Sequence, residues 1–344
     1  MKAMALTGIR QMEMMTWSDP GLKNDRDVLI KLEAVGVCGS DIHYYTSGRI
    51  GSQVVEFPFP VGHESGGTVV EVGKAVKKVK PGDRIAIEPA ITCGECDQCR
   101  AGRPNTCRNI RFLGCPGQAD GCLSDYIVMP EENCFLIPDH MTFEEAAISE
   151  PLAIGVYAVK RSIPMKGAKV GILGFGPIGM SVMLPALAMG AEEVYVTDKI
   201  GERLAIAAKT GAAWTGNPEK ENIEEIINKQ EPHQLDVVFE CCGQQDAVDN
   251  AVQIVKPGGK IMMIGIPEVD RINFQIDYMR RKEITFVNVR RQAHCVQDAL
   301  DLMASGKVDV SPMATHRYNF SQTKDAFDLV DGYHDGVMKA MINF

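Results

Sequence analysis

The chain has 344 residues, more than one ordinary hydrophobic core serves, so two domains are expected. With 45% hydrophobic and 24% charged residues it reads as a globular protein whose apolar runs are too short to span a bilayer. The net charge of −9 argues against nucleic acid or an anionic membrane as partner, and no secretory pattern shows at the N-terminus.

Segments 27–37 and 67–79 are rich in β-branched residues with partial alternation. The turn signal Pro81-Gly82-Asp83 follows, and 84–88 reads as a further strand. Few helix-period stretches precede residue 140, so this part is expected to be mainly β. The pattern then changes. Strands are expected at 169–173, 193–198, 235–240, 260–266 and 284–289, and helices at 203–209, at 247–255 and after the first strand, up to residue 189. Such alternation builds a parallel, doubly wound sheet. A helix at 296–305 and a mixed tail without another βα unit are expected to close the chain.

Gly174-Phe175-Gly176-Pro177-Ile178-Gly179 lies between a strand and a helix. Gly174 permits the tight turn, Gly176 lets a pyrophosphate approach the backbone, and Gly179 lets the helix pack on the strand. The helix start then offers free N–H groups to phosphate. Asp198 ends the next strand, where a carboxylate holds a ribose 2′-hydroxyl and repels a 2′-phosphate; this favours NAD over NADP. Capping a strand is the alternative role for Asp198. Arg203, one helical turn on, is placed either against adenine or at a solvated surface.

Four of the eleven cysteines crowd one segment as Cys93, Cys96, Cys99 and Cys107. Four thiolates on one loop close a tetrahedral shell around zinc with no open position, a structural site. Iron–sulfur proteins use related spacings, and a zinc ribbon for nucleic acid is another reading. Clustered thiols in a chain of this kind indicate a reducing, cytoplasmic compartment. A second constellation is split between Cys38-Gly39-Ser40-Asp41-Ile42-His43 and Gly62-His63-Glu64. Cysteine, histidine and carboxylate can hold a catalytic zinc that keeps one position open. Taken singly, each has a bland role as buried thiol, core histidine or solvated glutamate.

With these motifs in hand, the sequence resembles the zinc-containing medium-chain dehydrogenase family along essentially its whole length, and within it the polyol (sorbitol or L-iditol) dehydrogenases. Segment 38–50 and Glu150-Pro151-Leu152 are similar to theirs. The resemblance implies an α/β protein: a mainly β, GroES-like catalytic domain from 1–149 and 291–344, and a Rossmann domain at 150–290. It implies two zinc ions, with Cys38, His63 and Glu64 as catalytic ligands, Glu150 beside the metal, and Asp41 orienting His63. Ser40 and His43 match a proton relay, and Tyr44 a substrate contact. Ile178, Asp198 and Arg203 match NAD contacts, as do Ile264, Gly265 and Ile266 with Asn288, Val289 and Arg290 beside the nicotinamide. Arg291 fills the place of a substrate-binding arginine, whereas Gln292 stands where polyol dehydrogenases often carry tyrosine. Mammalian-type sorbitol dehydrogenases lack the four-cysteine lobe that this chain retains. The expected reaction passes hydride from a secondary hydroxyl of a polyol to NAD, with zinc as Lewis acid. An L-threonine or other secondary-alcohol dehydrogenase is the alternative enzyme, and a catalytically silent zinc or redox-sensing protein the alternative class. The resemblance further implies a homotetramer or dimer.

Overall fold

The structure, a computed structural model, describes residues 1–267 and 269–344. Two units divide the chain: Met1–Glu150 with Val310–Phe344, and Pro151–Asp309. None of the described helices is long and apolar enough to cross a membrane.

The first unit is built on a sheet in the order Cys134–Leu136, Arg84–Ile87, Glu64–Val72, Asp27–Gly36, Lys339–Asn343, Ala314–Asn319, with Tyr126–Pro130 also paired to Asp27–Gly36. The β-rich stretch Asp27–Gly36 sits at its centre because Val28, Ile30, Leu32 and Val35 all reach the core, where they join Leu6, Ile85, Phe327 and Ile342. Removing such side chains from water is worth about 1.5–3 kcal/mol each. Bulges between Leu29 and Ile30 and between Leu32 and Ala34 let this strand follow its neighbour Glu64–Val72.

The tail corrects the sequence reading. Ala314–Asn319, the helix Thr323–Asp331 and Lys339–Asn343 form a strand–helix–strand unit whose strands pair in parallel. Weak patterning hid it, since Ala-Thr-His-Arg-Tyr-Asn carries little apolar alternation and the helix buries only Thr323, Ala326 and Phe327.

In the second unit six parallel strands run in the order Trp214–Gly216, Glu193–Thr197, Lys169–Leu173, Leu235–Glu240, Val255–Met263, Thr285–Asn288. Strand order reverses beside Lys169–Leu173, which creates the switch point where such sheets bind ligands. The strand Trp214–Gly216 and the helices Ile223–Gln230 and Ile276–Lys282 carry too few apolar residues to announce themselves; Ile223–Gln230 buries only Ile223 and Ile227. The helix Val296–Ala304 buries Val296, Ala299, Leu300 and Met303 within this unit, and the chain returns to the first unit at Val310 rather than at 291.

Candidate active site and metal centres

The strand Asp27–Gly36 leads to Cys38, which starts the helix Gly39–Ser47. Asp41 closes a capping box by accepting a hydrogen bond from Cys38 N at 3.2 Å. Its other oxygen accepts from Gly62 N at 3.2 Å and lies 3.3 Å from His63 Nδ1. One buried carboxylate thus ties both halves of the split motif together. It also fixes the His63 ring so that Nε2 is left for a metal. Burial alone would lower the His63 pKa, but the Asp41 and Cys38 charges outweigh it and hold the ring well above the ordinary value. A site that draws a proton onto a buried imidazole suits a cation.

The ligand atoms of Cys38, His63 and Glu64 lie within 4.8 Å of one another. Thiolate, imidazole and carboxylate at that spacing fit a zinc ion with a coordination position left over. Ser40 Oγ donates to Cys38 Sγ at 3.4 Å, and His43 lies on the same helix. Tyr44 is buried, with its hydroxyl 3.2 Å from Gln53 Oε1 and 3.8 Å from Cys115 Sγ. Glu150 is buried and close enough to act electrostatically on Lys339.

Sequence reasoning missed two residues of this centre. Lys339 Nζ donates to Glu64 Oε2 at 2.5 Å and to Val37 O at 3.2 Å, and both side chains of the ion pair are 1% exposed. Burial by itself would lower the Lys339 pKa; Glu64, Cys38 and Glu150 raise it above the usual lysine value. Gly36 faces Glu64 across the strand pair, and a Cβ there would be driven into Glu64 Oε2. The available signal was a lone lysine inside the apolar run Met338-Lys339-Ala340-Met341-Ile342.

Cys93, Cys96, Cys99 and Cys107 also bring their sulfurs within 4.8 Å of one another, and all eleven cysteines are unpaired. The Cys93 and Cys107 sulfurs are 3.4 Å apart, and those of Cys96 and Cys107 3.9 Å. Tetrahedral zinc with Zn–S bonds of about 2.3 Å places sulfurs roughly 3.8 Å apart, so this set fits the ion. Backbone N–H groups of Arg108 and Cys99 bring the Cys96 thiol down to about 6. Desolvation and the thiols of Cys107 and Cys96 push Cys99 up to about 12. Four crowded sulfurs resist ionising together until a divalent cation offsets their charge.

In the second unit the glycine fingerprint forms the tight turn and the close helix packing expected of its first and last glycines. Gly174 has φ +92°, Gly176 caps the helix Pro177–Ala188, and a Cβ at Gly179 would strike Gly174 O. Ile178 lies in the first turn of that helix. Asp198 Oδ1 accepts from Ile200 N at 2.8 Å, and its other oxygen serves the glycine turn. Arg203 is buried, and its Nη1 would be 3.4 Å from a Cβ on Gly176, so it stands beside the fingerprint rather than at a solvated surface.

Ile264, Gly265 and Ile266 follow Val255–Met263, while Asn288, Val289 and Arg290 lie at or just after the end of Thr285–Asn288. Val289 N bonds Met263 O at 2.9 Å and so joins the two segments. Beneath them Glu240, which sequence reasoning missed, accepts from Cys242 N at 2.8 Å and Gly243 N at 2.6 Å. Arg291 has φ +51°. Gln292 is buried, and its Oε1 accepts from Cys295 N at 2.8 Å at the start of the helix Val296–Ala304.

Residues 24–139 match the alcohol dehydrogenase GroES-like domain, and residues 177–305 match the zinc-binding dehydrogenase family. The chain is 38% identical over 343 residues to sorbitol dehydrogenase of Bacillus subtilis, covering 99% of this chain and 97% of that one. Among solved structures, an Escherichia coli oxidoreductase/dehydrogenase of unknown specificity superimposes with a TM-score of 0.93 at 33% identity, covering 99% and 98% of the two chains. A zinc-binding dehydrogenase from Sinorhizobium meliloti bound to NADP gives 0.89 at 30% identity, covering 100% and 99%. The chain is an α/β enzyme that belongs to the zinc-dependent medium-chain alcohol dehydrogenases, with a GroES-like and a Rossmann-like unit, and stands close to the polyol dehydrogenases of that family.

Proposed function

We propose that the protein oxidises a secondary hydroxyl of a polyol to a ketone with NAD. The observation that carries this reading is the convergence of Cys38, His63 and Glu64 with Asp41 behind His63. These three residues would hold the catalytic zinc, and Cys93, Cys96, Cys99 and Cys107 a structural one. Zinc supplies Lewis acidity, which makes a hydroxyl easier to deprotonate. Ser40 and His43 take the hydroxyl proton towards solvent. The C–H electron pair leaves as hydride to the nicotinamide, so the products are a ketose, NADH and a proton.

Gly174, Gly176 and Gly179 cradle the pyrophosphate, Ile178 lies against the cofactor, and Asp198 and Arg203 bind its adenosine half. Ile264, Gly265 and Ile266 with Asn288, Val289 and Arg290 frame the nicotinamide. Polyol rather than simple alcohol follows from polarity. The buried Glu150 carboxylate acts on Lys339 behind the ligand set, and the resemblance implies a substrate contact for the Tyr44 hydroxyl; a vicinal diol pairs with such groups. The resemblance to polyol dehydrogenases also implies substrate roles for Arg291 and Gln292; with its Oε1 engaged by Cys295 N, Gln292 has its amide nitrogen left for such a role. The sorbitol dehydrogenase relative supports the same substrate class.

Oxidation of L-threonine is the competing reading for this fold, without an observation that favours it. A reducing, cytoplasmic setting suits the free cysteines. Self-association as a dimer or tetramer suits the outermost strand Thr285–Asn288, near which Phe274, Ile276 and Tyr278 are exposed. Product analysis tests the reaction itself: incubation of xylitol or sorbitol with NAD is expected to yield a ketose and stoichiometric NADH. An aldose as the product would overturn oxidation at a secondary carbon.

A further inference from the structure

Lys339 is the one cation that contacts the Cys38–His63–Glu64 set among the described residues, and it reaches the set from the far end of the chain. Its strand Lys339–Asn343 lies beside Asp27–Gly36, whose last residue pairs with Glu64 on the opposite edge. The Lys339 side chain therefore enters from the sheet interior, 1% exposed, and meets Glu64 Oε2 at 2.5 Å. Gly36 leaves the room that this carboxylate oxygen occupies. No hydrogen bond among the described residues reaches the second oxygen, Oε1, which is the one left for a metal. A carboxylate otherwise binds a metal with one oxygen or with both.

We propose that Lys339 is a positioning residue that keeps the catalytic metal centre open. It confines Glu64 to single-oxygen coordination by holding Oε2, and it offsets one negative charge of the ligand set. The proposal rests on the reading of Cys38, His63 and Glu64 as a zinc centre. Two consequences follow from electrostatics. A fixed ammonium in a buried site opposes the incoming cation, so the metal is held less tightly than the three ligands alone would hold it. With Oε2 engaged, the fourth position stays available to water or substrate; released, the second oxygen would join the shell as a fifth ligand and crowd that position.

The test uses the intact metal-loaded protein and two variants. Lys339→Met removes both charge and hydrogen bond. Lys339→Gln removes the charge but keeps a donor for Glu64 or Val37, and it folds more readily because Glu64 keeps a partner. Zinc retention is measured against a graded chelator, with the four-cysteine zinc as internal reference. Coordination is read from the visible absorption of the cobalt-substituted catalytic centre, which is strong for four ligands and weaker for five.

Both variants are expected to retain the catalytic-site zinc at chelator concentrations roughly tenfold or more higher than the natural protein, because the opposing charge is gone. Lys339→Met is also expected to lose most of the cobalt absorption intensity, and Lys339→Gln to keep it. Unchanged or weaker zinc retention in Lys339→Gln overturns the proposal, even if Lys339→Met does not fold. So does a four-coordinate cobalt spectrum in folded Lys339→Met. If the natural protein binds neither zinc nor cobalt at this centre, the underlying assignment of the ligands falls as well.

Discussion

Asp198 Oδ2 accepts a hydrogen bond from Phe175 N at 2.7 Å, so the carboxylate proposed to bind ribose also staples the glycine turn. The strand-end role is thus filled, and it leaves the proposed ribose contact to be tested. Asp198→Ser is expected to lower kcat/KM for NAD by about 10–100-fold, the worth of one or two lost hydrogen bonds to a charged group. Activity with NADP should fall less, because repulsion of the 2′-phosphate is relieved. Steady-state kinetics with both cofactors checks this; a natural protein that already prefers NADP would show the assignment of Asp198 to be wrong.

The two proposed zinc sites should differ in lability. Four thiolates close one shell, whereas the other has a single thiolate and an open position. Mild chelation is expected to remove one zinc per chain and abolish activity, while circular dichroism stays native. Full activity after one zinc has been removed would contradict this.

Gly36→Ala tests the packing behind Glu64. The added methyl would occupy the place of Oε2, with paired strands on both sides that cannot easily retreat. By analogy with other substitutions behind metal ligands, metal affinity at this centre or activity should fall by about 10–100-fold. Zinc at the four-cysteine site should be unaffected, which metal analysis can resolve.

Gln292→Tyr separates substrate recognition from helix capping. The change leaves Cys295 N without its acceptor, at a cost of about 1–3 kcal/mol. Thermal unfolding is expected to shift down by several degrees, and the ranking among polyols to change. A substitution that altered neither would show that Gln292 serves neither purpose.

The parts of this protein written in local spacing were legible in the sequence. Glycines at fixed offsets between a strand and a helix, and four cysteines on one loop, need no tertiary knowledge to interpret. Cys38 with His63-Glu64 took more, because two segments had to be joined; Asp41 makes that join. What escaped depends on strands that are remote in sequence but adjacent in the sheet. Lys339 meets Glu64 only because the last strand lies beside Asp27–Gly36, and nothing local marks a lysine as a partner of a residue 275 positions earlier. Glu240 was hidden for a different reason: its hydrogen bonds to Cys242 and Gly243 are local and look like an ordinary strand end. The parallel pairing of Ala314–Asn319 with Lys339–Asn343 likewise leaves little trace in a polar hexapeptide.

The central claim, NAD-linked oxidation of a polyol at a zinc centre, is tested most directly by one kinetic comparison. kcat/KM is measured with NAD for sorbitol, xylitol, galactitol, L-threonine and 2-propanol on the same zinc-loaded preparation. Sites whose buried polar groups are paired by substrate hydroxyls reject analogues that lack them, sometimes by about 10⁴-fold. At least one five- or six-carbon polyol should therefore exceed 2-propanol and L-threonine by a large factor. A higher kcat/KM for 2-propanol or L-threonine than for every polyol would contradict the account.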